Sequence, residues 1–117
     1  MINILSGLKK YISNNSSIYR DLIRKEAKIG GRLFGMVPSN VSRSFFCLDE
    51  HTWVYHQDTT SSNGSVKSNI IRYEVQPDRI VKVINGNRYL LSVSELRNFH
   101  KATKSYQLRV LNELYYN

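Results

Sequence analysis

The apolar residues of the first third of the chain recur at helical spacing in two stretches. Residues 2–12 place Ile4, Leu5 and Leu8 on one face and leave Lys9 and Lys10 outside it. Polar residues 13–17 interrupt the pattern and supply an N-cap for a second stretch. That second stretch runs over residues 18–34 and directs four apolar side chains inward: Ile18, Leu22, Ile29 and Leu33. The pattern predicts two N-terminal helices within residues 1–35.

A glycine pair, Gly30-Gly31, lies near the end of the second predicted helix. Each glycine costs about 1 kcal/mol relative to alanine in a helix interior, so the pair needs a structural reason. Either another backbone packs closely against it, or the helix ends there. Gly35 and Pro38 follow and are typical of a helix end.

From residue 45 the hydrophobic period changes from helical to two, which predicts β-strands. The alternation, the polar loop at residues 59–65 and the turn at residues 77–78 indicate a four- to five-stranded antiparallel meander over residues 43–92. Asn85-Gly86 lies between two β-rich runs and predicts a type I′ turn, because this turn needs positive φ at both central residues. In that register Ile84 faces Asn87.

The stretch SFFCLDEHTWVYHQD, residues 44–58, predicts the first hairpin of this sheet, with its turn at residues 49–52. A turn at that place sets Leu48 opposite Trp53 and Phe46 opposite Tyr55. Those four side chains would then form one hydrophobic face of stacked cross-strand pairs.

The last segment, residues 93–116, predicts one long helix. Ser92 and Glu95 have the spacing of a capping box. The main apolar stripe of this helix consists of Leu96, Phe99, Thr103, Tyr106, Val110 and Leu114, and a second stripe consists of Leu108, Leu111 and Tyr115. The fold class is therefore α+β: two N-terminal helices, an antiparallel meander, and a C-terminal helix packed on the sheet, in a single domain spanning residues 1–117.

The net charge is +8, and it is unevenly distributed. Residues 1–44 carry most of the excess, whereas residues 45–92 carry equal numbers of basic and acidic side chains. A basic excess confined to one region favours an acidic protein surface or nucleic acid as partner, although it is also typical of a solvated helix surface. The candidate partner-binding residues on this basic face are Lys9, Lys10, Arg20, Arg24, Lys25, Lys28 and Arg32.

An aromatic sheet face flanked by basic side chains is a second candidate surface, because single-stranded nucleic acids stack their bases on such faces. Its candidate residues are Arg72, Tyr73, Lys82, Arg88 and Tyr89. The alternative for these tyrosines is half-buried packing with the hydroxyl groups at the edge.

Candidate chemistry is densest around Cys47, His51 and His56, but the spacing matches no metal-binding motif. In the predicted hairpin the two histidines lie about 16 Å apart along the strand. Cys47 and His56 share a face as diagonal neighbours in that register, so their cooperation stays open. His100, beside the apolar stripe of the last helix, favours packing over ligation. We expect no metal and no cofactor, and an enzyme is undersupported because no catalytic motif occurs.

A single cysteine and the absence of a signal peptide or an apolar run of membrane-spanning length predict a cytoplasmic protein. The short amphipathic helix at residues 2–12 leaves peripheral contact with a membrane open.

Four segments resemble a family of small uncharacterised proteins from ultrasmall, reduced-genome bacteria of the candidate phyla group. They are GGRLFGMVP, RSFFCLDEHTWVYHQD, IIRYEVQPDRIVKV and SELRNFHKATKSYQLRVLNELY, and together they span roughly residues 25–116. The resemblance implies one α+β domain with the elements in this order. It carries no activity and no functional residue over to this chain.

These observations lead to a ranked set of functional hypotheses. The first is a non-enzymatic binding or adaptor module that contacts an acidic partner through its N-terminal helices. The second stripe on the last helix adds the option of a homodimer. The alternative is a nucleic-acid-binding protein that uses the same helices or the sheet, and a small-molecule enzyme comes third.

Overall fold

The computed structural model describes residues 16–115, and the side chains of residues 20–114. The elements follow one another along the chain as two helices enclosing five strands. They are α1 (Ser16–Gly31) with a 3-10 turn (Arg32–Phe34), β1 (Val41–Asp49), β2 (Thr52–Thr60), β3 (Val66–Val75), β4 (Ile80–Ile84), β5 (Asn87–Leu90) and α2 (Val93–Val110) with a π-helical turn (Leu111–Tyr115). The α+β class, the five-stranded antiparallel sheet and the long C-terminal helix are confirmed.

The prediction of two N-terminal helices is confirmed for one of them only. Helix α1 corresponds to the second predicted helix but ends at Gly31, where a 3-10 turn takes over. The first predicted helix, residues 2–12, lies outside the described residues.

The strands form a meander in the order β1-β2-β3-β4-β5, with every neighbouring pair antiparallel. Asn85 and Gly86 join β4 to β5 with φ values of 51° and 80°, as a type I′ turn requires. Ile84 pairs with Asn87, so the predicted register of this hairpin is confirmed.

Helix α1 lies directly against the edge strand β1, and the glycine pair makes this possible. A Cβ atom on Gly30 would lie 1.8 Å from the carbonyl oxygen of Phe45, and one on Gly31 would lie 2.0 Å from that of Arg43. No side chain fits at such distances, so both glycines serve close backbone packing. The helix also ends at Gly31, so both explanations of the pair hold. The helix thereby covers part of the β1 edge of the sheet, at Arg43 and Phe45.

The predicted register of the first hairpin is wrong by one residue. A β-bulge at Leu48 leaves Cys47 opposite Trp53, and Phe45 opposite Tyr55. Cross-strand partners point to the same side of a sheet, so Phe45 and Cys47 face the helices with Trp53, whereas Phe46 and Leu48 do not. Phe45 and Cys47 are consequently buried, and Leu48 is exposed.

The core lies between the helices and the inner face of the sheet, and it is mainly aromatic. Phe45 and Trp53 stack with ring centroids 5.3 Å apart, and Tyr106 meets Trp53 edge-on at 5.0 Å. Phe99, two turns before Tyr106 on α2, also contacts Trp53. Ile29 of α1 belongs to the same cluster, which ties both helices to the sheet.

Helix α2 starts with the predicted capping box. Ser92 accepts from the Glu95 amide, and the Glu95 side chain accepts from the Ser92 amide. Four members of the predicted main stripe are buried: Phe99, Thr103, Tyr106 and Val110. His100 is exposed, so the prediction that it packs is wrong, because the helical turn directs it away from the core. Within residues 16–115, no helix combines the length and the apolar character that crossing a bilayer requires.

Candidate functional site

Four basic side chains follow one another along α1 and the 3-10 turn after it. Arg20, Arg24 and Lys28 recur at intervals of four residues, which places them about 6 Å apart along one face of α1, and Arg32, four residues further on, begins the 3-10 turn. All four are exposed, and the buried residues Glu26, Ile29 and Gly30 lie on the opposite side. We call this row the α1 ridge.

A second basic row, on α2, was not among the residues predicted from the sequence. Arg97, Lys101 and Lys104 are exposed and lie opposite the buried stripe around Phe99. We call this row the α2 ridge. Its sequence signal was present, since all three positions fall in the polar gaps of the main apolar stripe.

Most of these cations form no ion pair with another described residue. Arg32 of the α1 ridge pairs with Glu113 at 3.1 Å, and the neighbouring Lys25 pairs with Asp21. Arg20, Arg24 and Lys28, like all three residues of the α2 ridge, make no ion pair within the described part of the chain. The two helices therefore offer positive charge that no other described residue neutralises. Lys9 and Lys10, the other predicted members of the basic face, lie outside the described residues.

An aromatic pocket opens between α2 and the inner face of the sheet, with a volume of about 340 Å³. Its lining residues are Phe34, Phe45, Tyr55, Ile71, Tyr73, Glu95, Asn98, Phe99 and Ala102. Phe34, from the turn after α1, stands perpendicular to Tyr55 with the ring centroids 5.4 Å apart. Tyr73 packs against Phe99 at 4.9 Å. The pocket is thus walled mainly by aromatic rings, and Phe34 is 44% exposed.

Few polar groups reach the aromatic pocket. The Glu95 carboxylate pairs with Lys82 and accepts a hydrogen bond from the Ser92 amide. The hydrogen bond from Lys82 is the main reason why the pKa of Glu95 lies below its usual value. Burial, and then the nearby Glu95 charge, raises the pKa of Tyr73, so its phenol stays protonated at neutral pH. The Tyr73 hydroxyl and the Asn98 amide form no hydrogen bond with another described residue. None of the lysines and arginines within the described residues lines the pocket.

The five residues predicted for a sheet-face surface lie on two different faces. Tyr73, Lys82 and Tyr89 are cross-strand partners and share the face that carries the helices. Arg72 and Arg88 flank Val83 on the outer face. Tyr73 lines the aromatic pocket, whereas Tyr89 is 47% exposed and lies outside it, with the Lys82 ammonium 5.9 Å from its ring centre. No single face therefore presents all five.

The chemically dense hairpin contains no assembled reactive site among its described residues. The bulge at Leu48 puts Cys47 on the inner face, while His56, opposite Ser44, is on the outer face, so the two residues do not meet. His56 Nε2 contacts Asp58 Oδ1 at 2.9 Å, and the Ser68 hydroxyl donates to that same oxygen. In a catalytic triad the serine hydroxyl donates to the imidazole. Here Ser68 donates to the Asp58 carboxylate instead, so Ser68, His56 and Asp58 are not arranged as a triad.

Metal-binding side chains do not converge in the described part of the chain. Within residues 16–115, no group of three His, Cys, Asp or Glu side chains is placed to hold an ion. The absence of metal from the functional protein stays a prediction.

The comparisons with known proteins found no match. Neither a protein-family model, nor a curated protein, nor a solved structure matches the chain.

Proposed function

We propose that this protein is a non-enzymatic binding module that contacts an acidic partner through the exposed faces of its two helices. The observation that carries the proposal is the pair of basic ridges, because six of their seven cations have no ion-pair partner among the described residues. Unpaired surface cations attract polyanions and release the counterions that polyanions carry. Compared with the sequence prediction, the α2 ridge extends the candidate surface beyond the N-terminal helix.

The arrangement of the charges supports this assignment over a merely solvated surface. The acidic side chains described on the helices are each buried or paired: Glu26 is buried, Glu95 is held by Lys82, Glu113 pairs with Arg32, and the exposed Asp21 pairs with Lys25. A helix surface that serves only solubility is typically laced with both signs of charge. Here the outward rows are of one sign.

The cytoplasm is the compartment we propose for the module. The one cysteine of the chain, Cys47, is a buried thiol, which suits a reducing environment. We also propose membership of the family that the sequence resembles. A homodimer is a further proposal that depends on the second stripe of α2, of which Leu108 is 58% exposed.

A binding titration over a range of salt concentrations tests the proposed function. The probes are a fluorescein-labelled single-stranded oligonucleotide, the corresponding duplex and labelled poly-L-glutamate, each followed by fluorescence anisotropy. We expect saturable binding to at least one of them, with the logarithm of affinity falling linearly with the logarithm of salt concentration. If none of the three binds at low salt, the basic ridges do not form a partner surface and the proposal is wrong.

A further inference from the structure

We propose that the partner is a single-stranded nucleic acid, with one unpaired base in the aromatic pocket and the flanking phosphates on the two ridges. This inference rests on the proposed function and names the partner of the same surface.

The aromatic pocket adjoins both ridges along the chain. Phe34, which lines it, follows the last cation of the α1 ridge, Arg32, by two residues. On α2 the pocket residues Asn98 and Ala102 each follow directly after a ridge residue, Arg97 and Lys101. On α2, Asn98 and Lys101 are three residues apart and so occupy neighbouring positions of the helix surface, whereas the α1 ridge has only Arg32, which pairs with Glu113, within two residues of a pocket residue. A strand whose phosphates lie on the ridges can reach it with a base.

The lining of the pocket suits an uncharged planar ring. Aromatic side chains, among them Tyr55, Tyr73 and Phe99, provide the faces on which bases stack, and such stacking tolerates every base because each has a π-face. Glu95 is the one ionised group among the described lining residues and is neutralised by Lys82, and no described lysine or arginine lines the pocket to hold a phosphate inside. Its volume of about 340 Å³ is at the lower end of the range of roughly 300–1,000 Å³ that small-ligand pockets occupy.

Three polar groups in the pocket can contact the edge of a base. The Asn98 amide offers both a donor and an acceptor, and the Tyr73 hydroxyl offers a donor. Tyr55 donates its own hydroxyl proton to Gln57 Oε1 at 2.8 Å, so its oxygen is left to accept. A duplex keeps its bases stacked and paired, and their Watson–Crick edges are then out of reach of these groups. The pocket thus favours single strands.

The experiment compares an intact strand with a strand that lacks bases. A short fluorescein-labelled oligothymidylate and the same strand built with abasic sites carry equal phosphate charge, so their affinity ratio isolates the contribution of the bases. We expect the wild-type protein to bind the intact strand roughly tenfold more tightly, which corresponds to one stacked base.

Variants then locate that contribution. Phe34→Ala removes a half-exposed ring at the pocket and should bring the ratio close to one while the salt dependence is retained. Tyr89→Ala removes an exposed ring outside the pocket and should leave the ratio unchanged. Asn98→Ala, at an exposed position of α2, is a second pocket variant, and we expect it to lower the affinity ratio by a smaller amount. Thermal unfolding checks that each variant is folded.

Other outcomes distinguish this inference from the proposed function. Equal affinity of the wild-type protein for intact and abasic strands would overturn the base pocket and leave the polyanion surface intact. A ratio lowered by Tyr89→Ala instead of Phe34→Ala would move the base contact to the sheet edge and would also overturn it. Tighter binding of poly-L-glutamate than of either strand would identify an acidic protein as the partner class. Absence of binding to all probes would refute the proposed function as well.

Discussion

The hydroxyl group of Tyr106 donates a hydrogen bond to Glu26 Oε2 at 2.9 Å, in a place where both side chains are fully buried. The same hydroxyl oxygen accepts from the backbone amide of Cys47 at 3.4 Å. Tyr106 thus connects α2, α1 and the edge strand β1 at a point where that strand has no neighbouring strand. Burial, followed by the Glu26 charge, raises the pKa of Tyr106, so this phenol remains a donor at neutral pH.

Removal of the Tyr106 hydroxyl is expected to destabilise the fold. Tyr106→Phe keeps the ring packing but removes a hydrogen-bond donor from the buried Glu26 carboxylate and an acceptor from the buried Cys47 amide. Each loss costs free energy, because no water replaces the lost partner at a buried site. We expect the free energy of unfolding, measured by urea denaturation, to fall by about 1–3 kcal/mol. Tyr89→Phe, with an exposed ring, is the matched control and should change it little. A loss below about 0.5 kcal/mol for Tyr106→Phe would show that the network contributes nothing to stability.

The contact of α1 with β1 predicts an unusual effect of alanine at Gly30. Alanine normally stabilises a helix relative to glycine, but here its Cβ would meet the carbonyl oxygen of Phe45 at 1.8 Å. Gly30→Ala should therefore lower the free energy of unfolding by about 1–3 kcal/mol, as overpacking does. Ser105→Ala, at an exposed position of α2, should be neutral or slightly stabilising. A stabilised Gly30→Ala protein would contradict the close packing of the helix on the strand.

The Lys82–Glu95 pair predicts a pH dependence of stability. The pKa of Glu95 is lowered in the folded protein, first by the Lys82 hydrogen bond, so the ionised form is favoured by folding. This contribution is fully present above the unfolded value of about 4.3 and is lost as pH falls through the lowered folded value. Glu95→Gln should therefore reduce stability at neutral pH and flatten the decline of the urea midpoint towards acid pH. Equal pH profiles for the variant and the wild type would exclude a role for this pair.

The two basic ridges predict a defined change in salt dependence. Replacing Arg24, Lys28, Arg97 and Lys101 by glutamine should weaken single-strand binding and lower the slope of log affinity against log salt by roughly 0.7 for each cation that contacts a phosphate. The control replaces Lys67 and Arg72, two cations of β3 that form no ion pair with another described residue, by glutamine. If the control lowers the slope and the ridge variant does not, the strand binds on the sheet.

The burial of Cys47 predicts an unreactive thiol. Its Sγ atom is held 3.0 Å from the Asp49 carbonyl oxygen, and the side chain is completely shielded from solvent. A thiol must be accessible and ionised to react, so Ellman's reagent should label the native protein very slowly and the urea-unfolded protein at once. Rapid labelling of the native protein would show that β1 opens readily at the bulge.

Features that depend on short stretches of sequence were predictable. The type I′ turn at Asn85-Gly86 follows from the few residues that tolerate positive φ, and the Ser92–Glu95 capping box follows from spacing alone. The buried stripe of α2 follows from its helical period, because packing against a sheet selects one face. The excess of positive charge on α1 was also predictable from the sequence. The α2 ridge was not predicted, because the net charge of the last segment is small.

The face that β1 turns to the core was decided by the tertiary structure. Phe45, Phe46, Cys47 and Leu48 are four consecutive apolar residues, so their alternation cannot select a face, and only the bulge at Leu48 directs Phe45 and Cys47 to the helices. The aromatic pocket likewise combines side chains from the 3-10 turn after α1, from the sheet and from α2. No local sequence pattern encodes how these elements come together. Glu26 is buried on the inner side of α1, where its partner Tyr106 comes from 80 residues away in the sequence. The sequence by itself thus determined the local elements, through backbone conformation and hydrophobic period. The long-range packing of the helices against the edge and face of the sheet decided the register, the buried polar network and the candidate site.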